Sequence, residues 1–286
     1  MSSDAEHLMA QAEKKLNAGF LSSLFSSSNR YEDAEELYTK AANQFKLAKK
    51  WKEAGDAFSK AADMQIRLGE RDEAATRFVD ASNAYKKVSP QDAVDSLKQA
   101  IDILTERGRF QMAAKHQKTV AEIYETDLVN LEKAMTAYET AAEWFQGEDA
   151  SALANNCLTK VAHLAAQLEQ YQRAIELFER IAASSLENSL TKWGVRDILL
   201  KAGLCHLASG DLVGAQRAAE RYCDMDVTFA ATRECGLYKS LLEALEQGDP
   251  DVFTGYVAEY DKMTKLDDWK TTLLLRIKKS MDQSFT

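Results

Sequence analysis

The stretches AEELYTKA (34–41), AGDAFSKA (54–61) and AATRFVDA (74–81) begin and end on alanine, carry an aromatic ring at their fifth position and follow one another at intervals of twenty residues. Working outward, the leading alanine recurs as Ala34, Ala54, Ala74, Ala93, Ala113, Ala134, Ala154 and Ala174, at steps of 19 to 21 residues. Four residues on stand Tyr38, Phe58, Phe78, Leu97, Gln117, Tyr138, Leu158 and Phe178, with Gln117 the departure. Seven on stand Ala41, Ala61, Ala81, Ala100, Val120, Ala141, Val161 and Ile181. Positions i, i+4 and i+7 share one face of an α-helix, so each unit reads as one amphipathic helix. Alanine lets neighbouring helices approach closely, and the large residue fills the groove of the next.

Breakers separate the units at Gly69, Ser89-Pro90, Gly108 and Gly147. Two units make a hairpin of about forty residues, longer than the 34 of a tetratricopeptide repeat but of the same kind. Stacked hairpins form a solenoid with a curved binding surface and no enclosed pocket. The repeat runs from about residue 31 to 185 and then loosens. Residues 194–208, 212–222, 230–247, 251–264 and 268–282 still read as helices, with turns at Gly210-Asp211 and Gly248-Asp249-Pro250. The expected fold is all-α: a right-handed twisted solenoid of TPR-like antiparallel helical hairpins over 1–185, with a C-terminal helical bundle over 186–286.

Composition agrees. Two prolines and twelve glycines in 286 residues cannot supply the turns of a β-sandwich, and they argue against a doubly wound α/β fold. The net charge of −9 argues against a nucleic-acid binder. No basic segment followed by an apolar run marks a signal peptide, and no uncharged apolar stretch approaches the ~20 residues of a membrane span. Cys157, Cys205, Cys223 and Cys235 form no CxxC pair, so neither zinc nor a disulfide framework is expected, and the compartment expected is the reducing cytosol.

Charge is sorted along the chain. Residues 40–120 carry 16 Lys and Arg against 11 Asp and Glu, whereas residues 121–210 carry 7 against 13 and residues 211–268 carry 6 against 13. The basic stretch holds Lys46, Lys49, Lys50, Lys52, Lys86, Lys87, Arg109, Lys115 and Lys118. These are either solvated helix faces or a surface for an acidic partner, which such a field would steer and orient. The acidic end offers Asp211, Glu243, Glu246, Asp249 and Asp251 to a second, basic partner. Near the start, residues 17–29 are uncharged and serine-rich yet contain Phe20, Leu21, Leu24 and Phe25. A loop is expected there, its apolar residues either folded back onto the first hairpin or inserted into a membrane surface.

Catalytic signatures are missing. The sequence has no GxGxxG, P-loop, HExxH or GxSxG. His7, His116, His163 and His206 are dispersed, and the neighbours Cys205 and His206 would point about 100° apart on a helix. His163, among alanines, reads as a core or groove residue. The expectation is a protein that is not an enzyme and needs no cofactor or metal.

Several long stretches carry a resemblance: Gly108-Arg109-Phe110 through Ala113-Ala114-Lys115-His116, Ala121-Glu122-Ile123-Tyr124-Glu125-Thr126, Leu168-Glu169-Gln170-Tyr171-Gln172, Leu266-Asp267-Asp268-Trp269 through Leu275-Arg276-Ile277-Lys278-Lys279, and Phe78-Val79-Asp80-Ala81. They closely resemble the alpha-SNAP (soluble NSF attachment protein) family, nearer its alpha and beta branch than gamma, from the first helix to about residue 281. The resemblance implies a cytoplasmic adaptor, peripherally associated with membranes and monomeric alone. Several copies coat a SNARE four-helix bundle of the syntaxin, SNAP-25 and synaptobrevin type. They recruit the AAA+ ATPase NSF, which disassembles the bundle in vesicle fusion and protein transport.

Lys115, and similarly Arg109, match basic family positions facing the SNARE bundle. A second family lysine falls at Asn156, with Lys160 nearby as compensation. With the basic stretch this gives Lys49, Lys50, Lys86, Lys87, Arg109, Lys115 and Lys160 as SNARE-binding candidates. Asp211, Glu243 and Glu246 match positions facing NSF, and Phe20, Leu21, Leu24 and Phe25 match a membrane-touching loop. The family's acidic, leucine-bearing tail has no counterpart in Met281-Asp282-Gln283-Ser284-Phe285-Thr286. The alternative is a generic TPR-like scaffold or cochaperone that binds peptide tails. That would need Lys, Asn and Arg converging in one groove at 34-residue spacing, where twenty is observed.

Overall fold

The computed structural model describes residues 2–17, 27–187 and 191–284. Within them the chain is α-helical, without a β-strand. It gathers into two compact units, Met1–Ala154 and Asn155–Thr286. This division follows packing, and it falls inside a helix, earlier than the change of repeat register near residue 185.

The first unit contains α1 (Ser2–Asn17), α2 (Ser27–Leu47), α3 (Trp51–Leu68), α4 (Arg71–Tyr85), α5 (Pro90–Glu106), α6 (Phe110–Thr126) and α7 (Leu131–Gly147), each packed on the next. The repeat face is the core. All eight leading alanines are buried, as are all eight residues at the seventh step. At the fourth step six of the eight are buried, while Gln117 and Leu158 are only half-buried. At α1 and α2 the pattern closes around Ala12, Ala34, Tyr38, Ala61 and Met64. Each buried ring contributes about 1.5–3 kcal/mol.

The turns explain the twenty-residue period. One residue in each of most turns adopts left-handed backbone: Lys49, Gly69, Gly108, Val129, Asp149 and Glu169. After α3 the N–H of Gly69 reaches the Ile66 carbonyl and that of Glu70 the Gln65 carbonyl, at 3.1 and 2.9 Å. This paired closure satisfies the last helical carbonyls and reverses the chain within two residues. The same pair of bonds recurs at Lys49-Lys50, Gly108-Arg109, Asp149-Ala150 and Glu169-Gln170. Only two of these positions are glycine. Gly147, expected as a breaker, is instead the last residue of α7, and Asp149 takes the left-handed position. The α4–α5 turn lacks a left-handed residue and uses Ser89 before Pro90, the first residue of α5. A proline there leaves no helical N–H unsatisfied.

Both ends of the loop expected over 17–29 are helical among the described residues. Asn17 ends α1, and Ser27 to Asn29 belong to α2. Phe20, Leu21, Leu24 and Phe25 lie outside the described residues.

α8 (Ser151–Gln167) crosses the division between units. The second unit adds α9 (Tyr171–Leu186), α10 (Val195–Ser209), α11 (Leu212–Met225), α12 (Arg233–Gln247), α13 (Pro250–Met263) and α14 (Asp268–Ser284). α10 touches α9, α11, α12 and α14. It is apolar on several sides, with Leu199, Leu200, Leu204 and Cys205 fully buried. Such a helix belongs at the centre of a bundle.

Candidate functional site

Consecutive helices of the first unit reverse direction, so alternate turns share an edge. On one edge, Lys50 of the α2–α3 turn pairs with Glu6 of α1 at 3.1 Å, and Lys52 at the start of α3 pairs with Asp92 of α5 at 3.2 Å. On the other edge, Asp72 of α4 receives Arg107 at 3.2 Å and Arg109 at 2.9 Å, while Arg71 pairs with Glu106. The Lys50, Lys52 and Arg109 pairs join helices two apart, one hairpin along the stack, whereas the Arg71 and Arg107 pairs tie α4 to the end of the adjacent α5.

This sorts the basic candidates into two groups. Lys49, Lys50, Lys86 and Lys87 lie in the α2–α3 and α4–α5 turns. Arg109 begins α6 from the opposite edge, and Lys115 sits just inside it. A seventeen-residue helix is about 25 Å long, so the two groups cannot hold one small ligand together. An elongated acidic partner lying across the helices could meet both.

The candidates also differ in commitment. Lys50 and Arg109 are held by Glu6 and Asp72. Lys49, Lys86, Lys87 and Lys115 are exposed and carry no ion pair among the described residues. The neighbouring His116 is depressed by burial first and by the Lys115 charge second, so at neutral pH it adds no charge. Arg109 and His116 line an open cleft of about 380 Å³ with Arg77, Leu104 and Met112. Lys160, on α8, belongs to the second unit, and so does Asn156.

The acidic candidates are spread over α11 and α12. Asp211 also serves the fold, since its Oδ1 accepts the Gly214 N–H at 2.9 Å and caps α11. It remains exposed, as do Glu243 and Glu246 in the last turns of α12. Glu243 accepts a hydrogen bond from Gln247 Nε2 at 3.0 Å. Asp249 caps α13 by accepting the N–H groups of Asp251 and Val252. Asp251, in the first turn of α13, is exposed as well, so four of the five acids read from sequence are exposed and Asp249 is half-buried as a cap.

A family model described as soluble NSF attachment protein, SNAP, matches residues 3–282. This chain belongs to the SNAP family. It is 50% identical to the beta-soluble NSF attachment protein of Bos taurus over 97% of this chain and 94% of that one. It is 47% identical to the alpha-soluble NSF attachment protein of Mus musculus over 97% and 95%. A probable vesicular-fusion protein sec17 homolog of Schizosaccharomyces pombe is 41% identical over 99% and 98%. Among solved structures, a signal-transduction ATPase with a tetratricopeptide-repeat sensor from Pyrococcus horikoshii superposes with a TM-score of 0.53 at 15% identity, over 98% of this chain and 44% of that one. That likeness concerns the fold alone.

In this SNAP-family chain, sequence reasoning missed the polar clasps of the second unit. Glu179 of α9 accepts the Tyr222 hydroxyl at 2.7 Å and pairs with Arg221 of α11, while His206 of α10 stands 3.5 Å away. Burial pushes the Glu179 carboxyl up, but these partners outweigh it and hold it below the usual carboxylate range. Lys270 of α14 is 7% exposed and lies 2.6 Å from Asp197 of α10 and 2.8 Å from Asp267. His163 does prove to be a groove residue, its ring packed between Phe178 and Trp269. Arg276 donates to the Ala166 and Gln167 carbonyls at the end of α8. One signal was available: Arg221 follows Glu179 by 42 residues, close to the hairpin spacing of the first unit's pairs.

Other thiol and carboxylate groups have structural roles. Cys205 is fully buried, and burial drives its thiol far up. Glu35 and Glu36 pair with Arg77 and Lys40. Asp267 caps α14 through the Lys270 N–H. No helix among the described residues is long and apolar enough to cross a membrane.

Proposed function

We propose that this chain is a non-enzymatic adaptor that binds assembled SNARE four-helix bundles and recruits and activates the ATPase NSF for their disassembly. The observation that carries the reading is Lys115, exposed on α6 and without an ion pair among the described residues, with Arg109 at the start of the same helix, in a chain of the SNAP family. A SNARE bundle is long and acidic. It suits basic residues on two edges of a helical layer better than a compact ligand does. Asp211, Glu243 and Glu246 are read as the surface for NSF. Phe20, Leu21, Leu24 and Phe25 are read as a membrane contact that keeps the adaptor peripherally bound, with affinity gained when several copies act together.

The mechanism is electrostatic and geometric. Exposed ion pairs contribute about 0.2–1 kcal/mol each, so several contacts and copies must share the binding. Arg109 must exchange Asp72 for a SNARE carboxylate, whereas Lys115 has no ion pair among the described residues to give up. Lys115 is therefore the cleaner probe. Lys115→Glu should weaken binding to a purified SNARE complex at least fivefold at physiological salt, about 1 kcal/mol per contact, with an unchanged helical signal. Affinity should also fall as salt rises. Disassembly by NSF and ATP, with this chain as the only adaptor, should slow in parallel. Unchanged affinity of Lys115→Glu would refute the assigned face. Binding without disassembly would refute the recruitment step.

A further inference from the structure

Cys223, in the last turn of α11, and Cys235, in the first turn of α12, place their sulfurs 3.8 Å apart. That is contact distance, and a disulfide needs about 2.05 Å, so closure asks for less than 2 Å of movement. The segment between them is already fixed. Phe229 is buried with its ring 6.4 Å from that of Tyr222, and the Thr232 hydroxyl accepts the Cys235 N–H at 3.1 Å. The two thiols therefore meet in a prearranged corner. They also differ in access: Cys223 is half-exposed and Cys235 is buried. Lys239, one turn along α12, is the cation that interacts with Cys235 and favours its thiolate.

We infer that Cys223 and Cys235 form a reversible disulfide-modification site, closed by a small disulfide such as oxidised glutathione, with Cys223 as the entering thiol and Cys235 as the resolving one. The Cys223 thiolate attacks one sulfur of glutathione disulfide and expels a glutathione thiolate. Cys235 then gives its proton to solvent, attacks the Cys223 sulfur and expels the second glutathione thiolate. One disulfide is reduced to two glutathione thiols and two cysteines are oxidised to one cystine, so atoms and electrons balance. Burial pushes the Cys235 thiol up to about 11, which agrees with its acting second. Because α11 and α12 also carry Asp211, Glu243 and Glu246, the bond would fix the spacing of those acids. That consequence rests on the proposed docking role, whereas the chemistry does not.

The test uses the full reduced chain, oxidised glutathione and no partner. Intact mass should fall by two hydrogens with no glutathione retained, and peptide mapping should join Cys223 to Cys235. The closed form should melt about 5 °C higher, reversed by dithiothreitol. Cys235→Ser should trap one glutathione on Cys223, and Cys223→Ser should take up none. The proposal is overturned if the wild type keeps glutathione on Cys223, if the link maps to Cys157 or Cys205, or if no thiol is lost. Failure of SNARE or NSF binding would leave these outcomes unchanged.

Discussion

Gly55 is where the first unit permits least. It lies inside α3, and a Cβ built there would stand 2.4 Å from Cε1 and 2.6 Å from Cδ1 of the Tyr85 ring in α4. That ring cannot move freely. It is buried, and its hydroxyl donates to Asp56 Oδ1 at 2.7 Å. On propensity alone, Gly55→Ala should stabilise a helix by about 1 kcal/mol. Against that stand overpacking, about 1–3 kcal/mol, and a strained hydrogen bond to a carboxylate, about 1.5–3 kcal/mol if lost. The steric and polar effects win, and a net destabilisation of about 2 kcal/mol is expected. Gly255, inside α13, meets no atom within 4 Å, so Gly255→Ala should stabilise by about 1 kcal/mol. Urea unfolding followed by circular dichroism would measure both, provided m is unchanged. In a Tyr85→Ala background the penalty at Gly55 should vanish, as coupled neighbours require. If Gly55→Ala stabilises as much as Gly255→Ala, the close approach of α3 and α4 is wrong.

Val129 is a β-branched residue at φ 49° whose side chain is 73% exposed. Left-handed backbone costs such a residue about 1–2 kcal/mol, so Val129→Gly should stabilise by about 1 kcal/mol after the extra chain entropy of glycine. A lower urea midpoint would contradict this. The second unit should lose stability in acid. Burial raises Asp197, but the Lys270 hydrogen bond and the Lys201 charge outweigh it and depress its pKa, and Asp267 is depressed in the same way by Lys270. A depressed carboxyl contributes stability above its unfolded value, near pH 4, that is lost as pH falls through the folded value. Asp197→Asn should flatten the fall in urea midpoint below pH 5, and an unaltered slope would argue against the clasp.

The helices and their buried faces were legible in the sequence because one physical rule repeats. A small residue, then a large one a turn later, then a small one, can only bury itself as a helix face, and eight copies make the reading redundant. Turns were less legible. Sequence marks a helix end by glycine, but this chain also ends helices at Lys49, Val129, Asp149 and Glu169, where closure bonds and packing hold backbone that side chains disfavour. The family was written in long local motifs, and the basic and acidic stretches were countable. Which of those charges remain available was not, since that depends on partners about forty residues away. Lys50 and Arg109 look like Lys49 and Lys115 in sequence, yet only tertiary packing brings Glu6 and Asp72 against the first two. The same holds for Cys223 and Cys235, twelve residues apart and unremarkable as a pair until α11 and α12 turn them face to face. Periodicity is local and survives in one dimension, whereas the pairing of charges and thiols is set by which helix ends the fold makes neighbours.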